Sequence, residues 1–244
     1  RAALIQLLAG SAGTDTFVRL FSGDALFEGG EPAARRLPTF ISNHDAGRLA
    51  HHLRQALPKA SDEELLKRVN LAHAMMFTLR GVPVVYYGDE QGFVGDGGDQ
   101  DAREDMFASR AASYNDNRLL GTRATTAQSN FDPAHPIFRT IAELAQLRRS
   151  HPALRRGEQV IRHFSNSPGI FAISRIDRQS GEELLIAFNT ATTRIAANVA
   201  IDYDDAQFRS LRGKCAASAA APGSFNVDLD ALDYVICAAA KPRT

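Results

Sequence analysis

Leu37-Pro38-Thr39-Phe40-Ile41-Ser42-Asn43-His44-Asp45 is a short apolar run that stops at three polar side chains. Thr39 to Ser42 reads as a strand buried on both faces, too short for a helix, with Pro38 tolerated at its first position. A second run, Val82-Pro83-Val84-Val85-Tyr86-Tyr87, ends the same way at Gly88-Asp89-Glu90. Because the best helical pattern in the chain lies between the two runs, the order predicts a parallel pair joined by a right-handed crossover. Ligands bind just past the carboxyl ends of strands in parallel sheets and barrels. Asn43, His44 and Asp45 are therefore expected on one rim with Asp89 and Glu90.

The intervening helix has clear signals. Ser61 is a predicted N-cap with Glu64 as the other half of a capping box. Leu65, Val69, Ala72, Met76 and Leu79 fall on one face, which reads as core packing, and Gly81 stops the helix. Before it, Ala46 to Lys59 is a loop or short helix. Residues 1 to 36 are less legible: Ala2 to Ala9 reads as a helix closed by Gly10, and the rest as connecting structure. Residues 91 to 135, rich in Gly, Asp and Asn, form a long loop of the kind that is functional or disordered. Following the second strand, it would hang over the rim. Pro136 opens a helix to Ser150, with Phe138, Ile141, Leu144, Ala145 and Leu147 inward, and Pro152 ends it.

Beyond Gly157 the pattern changes to short apolar or alternating runs at 159–164, 170–175, 183–189, 194–201, 224–229 and 234–238. Turns such as Ser167-Pro168-Gly169 separate them at the spacing of an antiparallel sandwich. Two domains are expected, 1–156 and 157–244, with Ala216 to Ala221 as a small-residue loop and no internal repeat.

Of the 244 residues 44% are hydrophobic, enough for a sizeable core. Lys+Arg 28 against Asp+Glu 28 provides no basic field for nucleic acid or an anionic membrane. No apolar run approaches the roughly 20 residues that span a bilayer. The chain opens at Arg1 rather than Met, so a piece of a longer protein is expected. Cys215 and Cys237 fit either a disulfide or two buried thiols, and nothing in the chain assigns a compartment.

Four stretches, in register, carry a family resemblance. Phe40-Ile41-Ser42-Asn43-His44-Asp45, with Arg48 after it, resembles the motif that ends barrel strand seven in the α-amylase family of glycoside hydrolases. Gly81 to Glu90 is similar to that family's strand-eight signature. Asp99-Gln100-Asp101-Ala102-Arg103, followed by Met106, resembles a stretch in the loop after strand eight. Leu147 to Gly157 is similar to the last barrel helix and its exit into a C-terminal sandwich. The resemblance implies an α/β plus all-β chain: the C-terminal portion of a TIM (β/α)8 barrel followed by an antiparallel β-sandwich. It departs from the family pattern at Glu104, where an Arg is common, and in having no Trp after Met106.

Retaining glycosidases need a nucleophilic carboxylate and an acid/base carboxyl about 5 to 5.5 Å apart, and contacts to the sugar 2-OH that strengthen in the transition state. By the resemblance, Asp45 is the transition-state stabiliser, His44 and Asn43 bind the same sugar, and Arg103 serves the neighbouring one. Tyr86, Tyr87 and Phe93 would offer faces for sugar stacking. The substrate class implied is an α-glucan or α-glucoside. The nucleophile and acid belong to strands four and five, and no residue before Leu37 matches those motifs. The chain alone is thus expected to be inactive, and to self-associate or rest on the missing N-terminal half through exposed strand edges. The alternative is a non-catalytic glucan-binding or interaction module.

Plainer roles stand beside these. The plainer role of Asp45, which the motif context makes the lesser one, is a helix cap, and that of Arg103 is a surface partner of Glu104 or Asp105. Asp89 and Glu90 either hold the loop or touch substrate. His51 and His52 read as surface residues, and with His44 and Asp45 they match no zinc-ligand spacing. Asp96, Asp99 and Asp101 lack the Gly and terminal Glu of a calcium loop. No metal is expected here: the resemblance requires no cofactor for the chemistry and leaves Ca2+ to sites outside this chain.

Overall fold

A computed structural model describes residues 2–202 and 207–240. The chain begins with helices α1 (Ala2–Leu8), α2 (Asp15–Ser22) and α3 (Gly30–Ala34), then strand β1 (Pro38–Thr39). Helices α4 (Leu49–Ala56) and α5 (Asp62–Thr78) lead to strand β2 (Val82–Pro83), which pairs with β1 in parallel, Pro38 opposite Val82 and Thr39 opposite Pro83. The parallel pair is as anticipated, but each strand is only two residues long. Each has one neighbour, and Pro38 and Pro83 remove ladder donors.

The expectation that Thr39 to Ser42 is buried on both faces is overturned. Ile41 and Ser42 are buried, whereas Phe40, Val82 and Val84 are exposed on an open side of the pair. The expectation of connecting structure between Ser11 and Arg36 is also corrected, since α2 and α3 lie there. Their helicity is a tertiary effect: Phe17 of α2 packs on Phe171 with ring centroids 5.1 Å apart. The Thr14 hydroxyl donates to the carbonyls of Ser165 and Ile170.

Helix α5 is capped as predicted, Ser61 Oγ accepting from Glu64 N at 3.1 Å. The Glu64 carboxylate, however, turns to Arg68, which also donates to the Leu8 carbonyl and so fastens α1. All five stripe residues are buried, and Leu71, Ala74, Met75 and Phe77 are buried as well, because helices and sheet surround the element.

After a short helix α6 (Ala112–Asn115), helix α7 (Pro136–Ser150) starts at Pro136, with His135 as its N-cap. Ile137 and Leu144 point inward. Phe138 is exposed, contrary to expectation, since one residue further along the helix rotates it about 100° off the buried stripe. Helix α8 (Pro152–Arg156) follows.

The remainder is all β: β3 (Glu158–His163), β4 (Ile170–Asp177), β5 (Glu182–Asn189), β6 (Ile195–Ala200), β7 (Gln207–Arg212), β8 (Ser224–Leu229) and β9 (Tyr234–Ala240). One antiparallel sheet has the order β3-β4-β5-β9-β7, and β6 pairs with β8 in a second. The central strands are buried on both faces, with period-2 alternation. Phe171, Ile173, Leu184, Ile186, Phe188, Tyr234 and Ile236 share a core with the helices. Ile170, Ala172, Leu185, Ala187, Val235 and Cys237 face the second sheet, meeting Val199, Phe225 and Val227. Strand β7 was not foreseen: only Phe208 is buried in it, and its pairing with β9 is bulged between Ser210 and Arg212, as suits an edge strand. Cys215 and Cys237 form a disulfide, Cα atoms 5.9 Å apart, which settles the two alternatives.

Two arginines join sheet and helices. Arg148 of α7 donates to the carbonyls of Phe77 and Gly81. Arg175 of β4, wholly buried, donates to those of Thr78 and Gly157. The Phe77 and Thr78 carbonyls are ones that the end of α5 leaves without helical partners. Burial lowers the Arg175 pKa to about 9, and Arg148 adds to the shift.

Candidate active-site rim

The polypeptide leaves β1 into a tight loop. Asn43 Oδ1 accepts from Ala46 N, three residues on, at 2.8 Å, and Asn43 N reaches Gly47 O. Gly47 has φ +77°, and a Cβ there would lie 2.4 Å from the Gly97 carbonyl oxygen. The loop is therefore seated directly on the segment after β2. Asp99 N donates to His44 O at 2.5 Å, and a Cβ at Gly98 would meet Asp45 O at 2.7 Å.

On this support the predicted residues are gathered at one end of the strand pair. His44 Nε2 lies 3.1 Å from Asp45 Oδ1, and the Asp45 side chain is 75% exposed. Asp45 does not cap α4; Ser42 Oγ does, accepting from Leu49 N at 3.0 Å. Arg103 pairs with Asp99 at 2.8 Å, not with Glu104 or Asp105, and Asp99 is the residue whose N–H holds His44. His52 is half-buried rather than a plain surface residue, its Nε2 2.8 Å from Ala46 O, so it braces the loop from behind.

Beneath the rim lies a cluster that sequence reading missed. Arg48 is fully buried; its Nε donates to Glu104 Oε2 at 2.6 Å and its Nη1 to Asp89 Oδ1 at 3.0 Å and Tyr87 O at 2.8 Å. The guanidinium sits among the rings of Tyr86, Tyr87 and Phe93, 4.7 to 5.4 Å from their centroids. Burial works against the Arg48 charge, yet Asp89 and Glu104 outweigh it and hold its pKa above the ordinary value. Burial pushes the Asp89 carboxyl up to about 6, with Arg48 opposing. Asp89 thus holds the loop. Glu104, the departure from the family pattern, is the second anchor, and the only signal for it in the sequence was that departure.

The stacking expectation is corrected in part. Phe93 is buried, packed in the crook of Gly88, and Tyr86 directs its hydroxyl to Ala102 O at 3.0 Å. Tyr87 alone of the three stays exposed. Among the described residues no group of three or more His, Cys, Asp or Glu side chains is arranged to hold a metal. Of the three candidate calcium carboxylates, Asp96 accepts from Asn117 and Asp99 pairs with Arg103. Among the described residues no helix is long and apolar enough to cross a membrane.

The chain joins a parallel strand pair, with polar loops at its carboxyl end, to an antiparallel sandwich, and comparison with known proteins specifies its family. The family model of the alpha amylase catalytic domain matches residues 30–157. The chain belongs to the alpha-amylase family of glycoside hydrolases. It is 45% identical over 194 residues to an alpha-amylase of Streptomyces lividans, covering 80% of this chain and 21% of that protein. A cyclomaltodextrin glucanotransferase of Geobacillus stearothermophilus is 31% identical over 156 residues, 64% of this chain and 17% of that one. Among solved structures, an Anoxybacillus alpha-amylase superposes on 100% of this chain with TM-score 0.74 at 22% identity, through 46% of its own length. The Geobacillus thermoleovorans alpha-amylase complexed with acarbose gives 0.74 at 21% identity and 47% of its length. The chain thus spans about a fifth of the curated relatives and under half of the solved neighbours.

Proposed function

We propose that this chain is the C-terminal part of an α-glucan-active enzyme of the family, working on α-glucosidic bonds with retention of configuration. In this reading residues 1–156 are the last part of a (β/α)8 barrel and 157–244 the sandwich that follows. Asp45 is the transition-state stabiliser, His44 and Asn43 hold the same sugar, and Arg103 serves its neighbour. The observation that carries the reading is the seating of the Asp45 loop on the Arg103 loop, through Asp99 N to His44 O and the Arg103 to Asp99 ion pair. A carboxylate beside an imidazole suits the positive charge that develops on an oxocarbenium-like sugar once substrate and the remaining barrel exclude water from it.

The nucleophile and the acid/base carboxyl lie outside this chain in the proposal, and so does any Ca2+ site. The open side of β1 and β2, with Phe40, Val82 and Val84 exposed, would then rest on the remaining barrel strands. The isolated chain should bind maltooligosaccharides without turning them over. Normal turnover of starch by these 244 residues would refute the division of the site. Binding that is unchanged in Asp45→Ala and lost on sandwich substitutions would instead identify a non-catalytic glucan-binding module.

A further inference from the structure

Twelve large apolar side chains are exposed among the described residues, and two of them face each other: Phe107 and Phe131, 72% and 55% exposed, ring centroids 5.0 Å apart. They come from distant parts of the 91–135 loop, and the loop is stitched together to hold them. Asn130 N donates to Met106 O and Ser109 N to Thr126 O, both at 2.8 Å. The Asn130 amide closes the turn by donating to Thr125 O and Gln128 O, and the Thr126 hydroxyl donates to Tyr114 O. Two wet phenyl rings on a braced backbone are unfavourable unless something covers them.

Beside Phe131 opens a cleft of about 310 Å³, walled by Gln91, Thr122, Gln128, Ser129, Asp132 and His135. Its lining carries one carboxylate, Asp132, whose Oδ1 accepts from Ala134 N, beside uncharged polar groups. His135 has both ring nitrogens occupied, Nε2 by Leu120 O and Nδ1 by Ile137 N, and burial lowers its pKa. Gln91 is tied in two hydrogen bonds to the Asp132 backbone. Gln128 and Ser129 are exposed, and none of their side-chain atoms takes part in a hydrogen bond among the described residues. Apolar ring faces next to free amide and hydroxyl groups, with one carboxylate able to accept from hydroxyls, complement a neutral polyol that presents C–H faces and hydroxyl edges, as a glucan does.

We infer that Phe107 and Phe131, with Gln128 and Ser129, form a second α-glucan contact on the 91–135 loop. This rests on the proposed α-glucan function and adds where a longer chain is gripped. The rings stack on sugar faces, and Gln128 and Ser129 reach the hydroxyls. Because the loop is braced beforehand, binding orders little of it.

Isothermal titration of the 244-residue chain with maltoheptaose tests this, using the Phe107→Ala/Phe131→Ala double variant, Phe131→Tyr, Gln128→Ala and Asp45→Ala. The double variant should bind about tenfold more weakly, Gln128→Ala should weaken binding by a smaller factor, and Phe131→Tyr should keep wild-type affinity. All four positions are exposed, and a circular-dichroism spectrum matching the wild type checks folding. Wild-type affinity in both the double variant and Gln128→Ala overturns the inference, while sensitivity to Asp45→Ala in the same series keeps the rim assignment. Loss in the double variant with no effect of Asp45→Ala supports the platform and removes the rim. Absence of any binding by the wild type overturns both.

Discussion

Arg48→Met isolates the cluster that holds the rim. The arginine has no exposed surface, and it is the counter-charge to two buried carboxylates, Glu104 at 2.6 Å and Asp89 at 3.0 Å. Methionine keeps most of the stem volume among Tyr86, Tyr87 and Phe93, so the cavity contribution is small and the charge contribution dominates. Removing one partner of a buried ion pair costs about 3 to 5 kcal/mol, because the remaining charge is left dry. Here two like charges remain, which places the expectation at the upper end, about 4 to 5 kcal/mol at pH 7. That is a large share of the roughly 5 to 15 kcal/mol available to a folded domain, and corresponds to a fall in Tm on the order of 10 °C for a chain of this size.

The sign with pH follows from linkage. Without Arg48 the Asp89 carboxyl, already raised by burial, loses the charge that opposes the rise, so the penalty is absent in acid and grows as pH climbs through its folded pKa. The gap between wild type and variant should therefore narrow from pH 7 to pH 5. Urea unfolding followed by circular dichroism, at several pH values, reads it directly. Adding Glu104→Gln should recover at least about 1 kcal/mol of the loss, a coupling measured by the double-mutant cycle. A cost below about 1 kcal/mol at pH 7, or a gap independent of pH, would refute the view that the rim is clamped electrostatically.

Two further outcomes are expected. His73 is buried in α5 with Nδ1 2.9 Å from Val69 O, and burial lowers its pKa to about 4. Its contribution is present above the unfolded value of 6.5 and is lost as pH falls toward 4, about 3 kcal/mol in all; His73→Leu should flatten the urea midpoint between pH 7 and 5. Reducing the Cys215–Cys237 bridge, which closes a segment of sequence separation 22, should lower stability by about 3 kcal/mol through the unfolded chain's regained freedom. The unfolding midpoint with and without reductant measures it.

Much of this structure was readable because its signals are local. Ser61 capping α5, Pro136 opening α7, and the alternation of β4, β5 and β9 depend on residues a few positions apart. The rim was readable for a similar reason, since Asn43, His44 and Asp45 are consecutive where one strand ends. The helices between Asp15 and Ala34 were not, because each is too short to hold itself and depends on partners such as Phe171 and Ser165, about 150 residues away. Strand β7 is an edge strand with little apolar pattern, and the small-residue loop after it hid its pairing.

By itself the sequence determined helices α5 and α7, the central strands of the sheet, the buried stripe of α5, and which polar residues stand at the carboxyl end of the strand pair, all of which follow from periodicity and neighbouring residues. Only the tertiary structure decided that Glu104 engages the buried Arg48, that Phe93 and Phe138 exchange their expected places inside and out, and that Phe107 meets Phe131. Those outcomes are set by groups far apart in the chain competing for one small volume, where burial and charge pairing decide and local spacing carries no information.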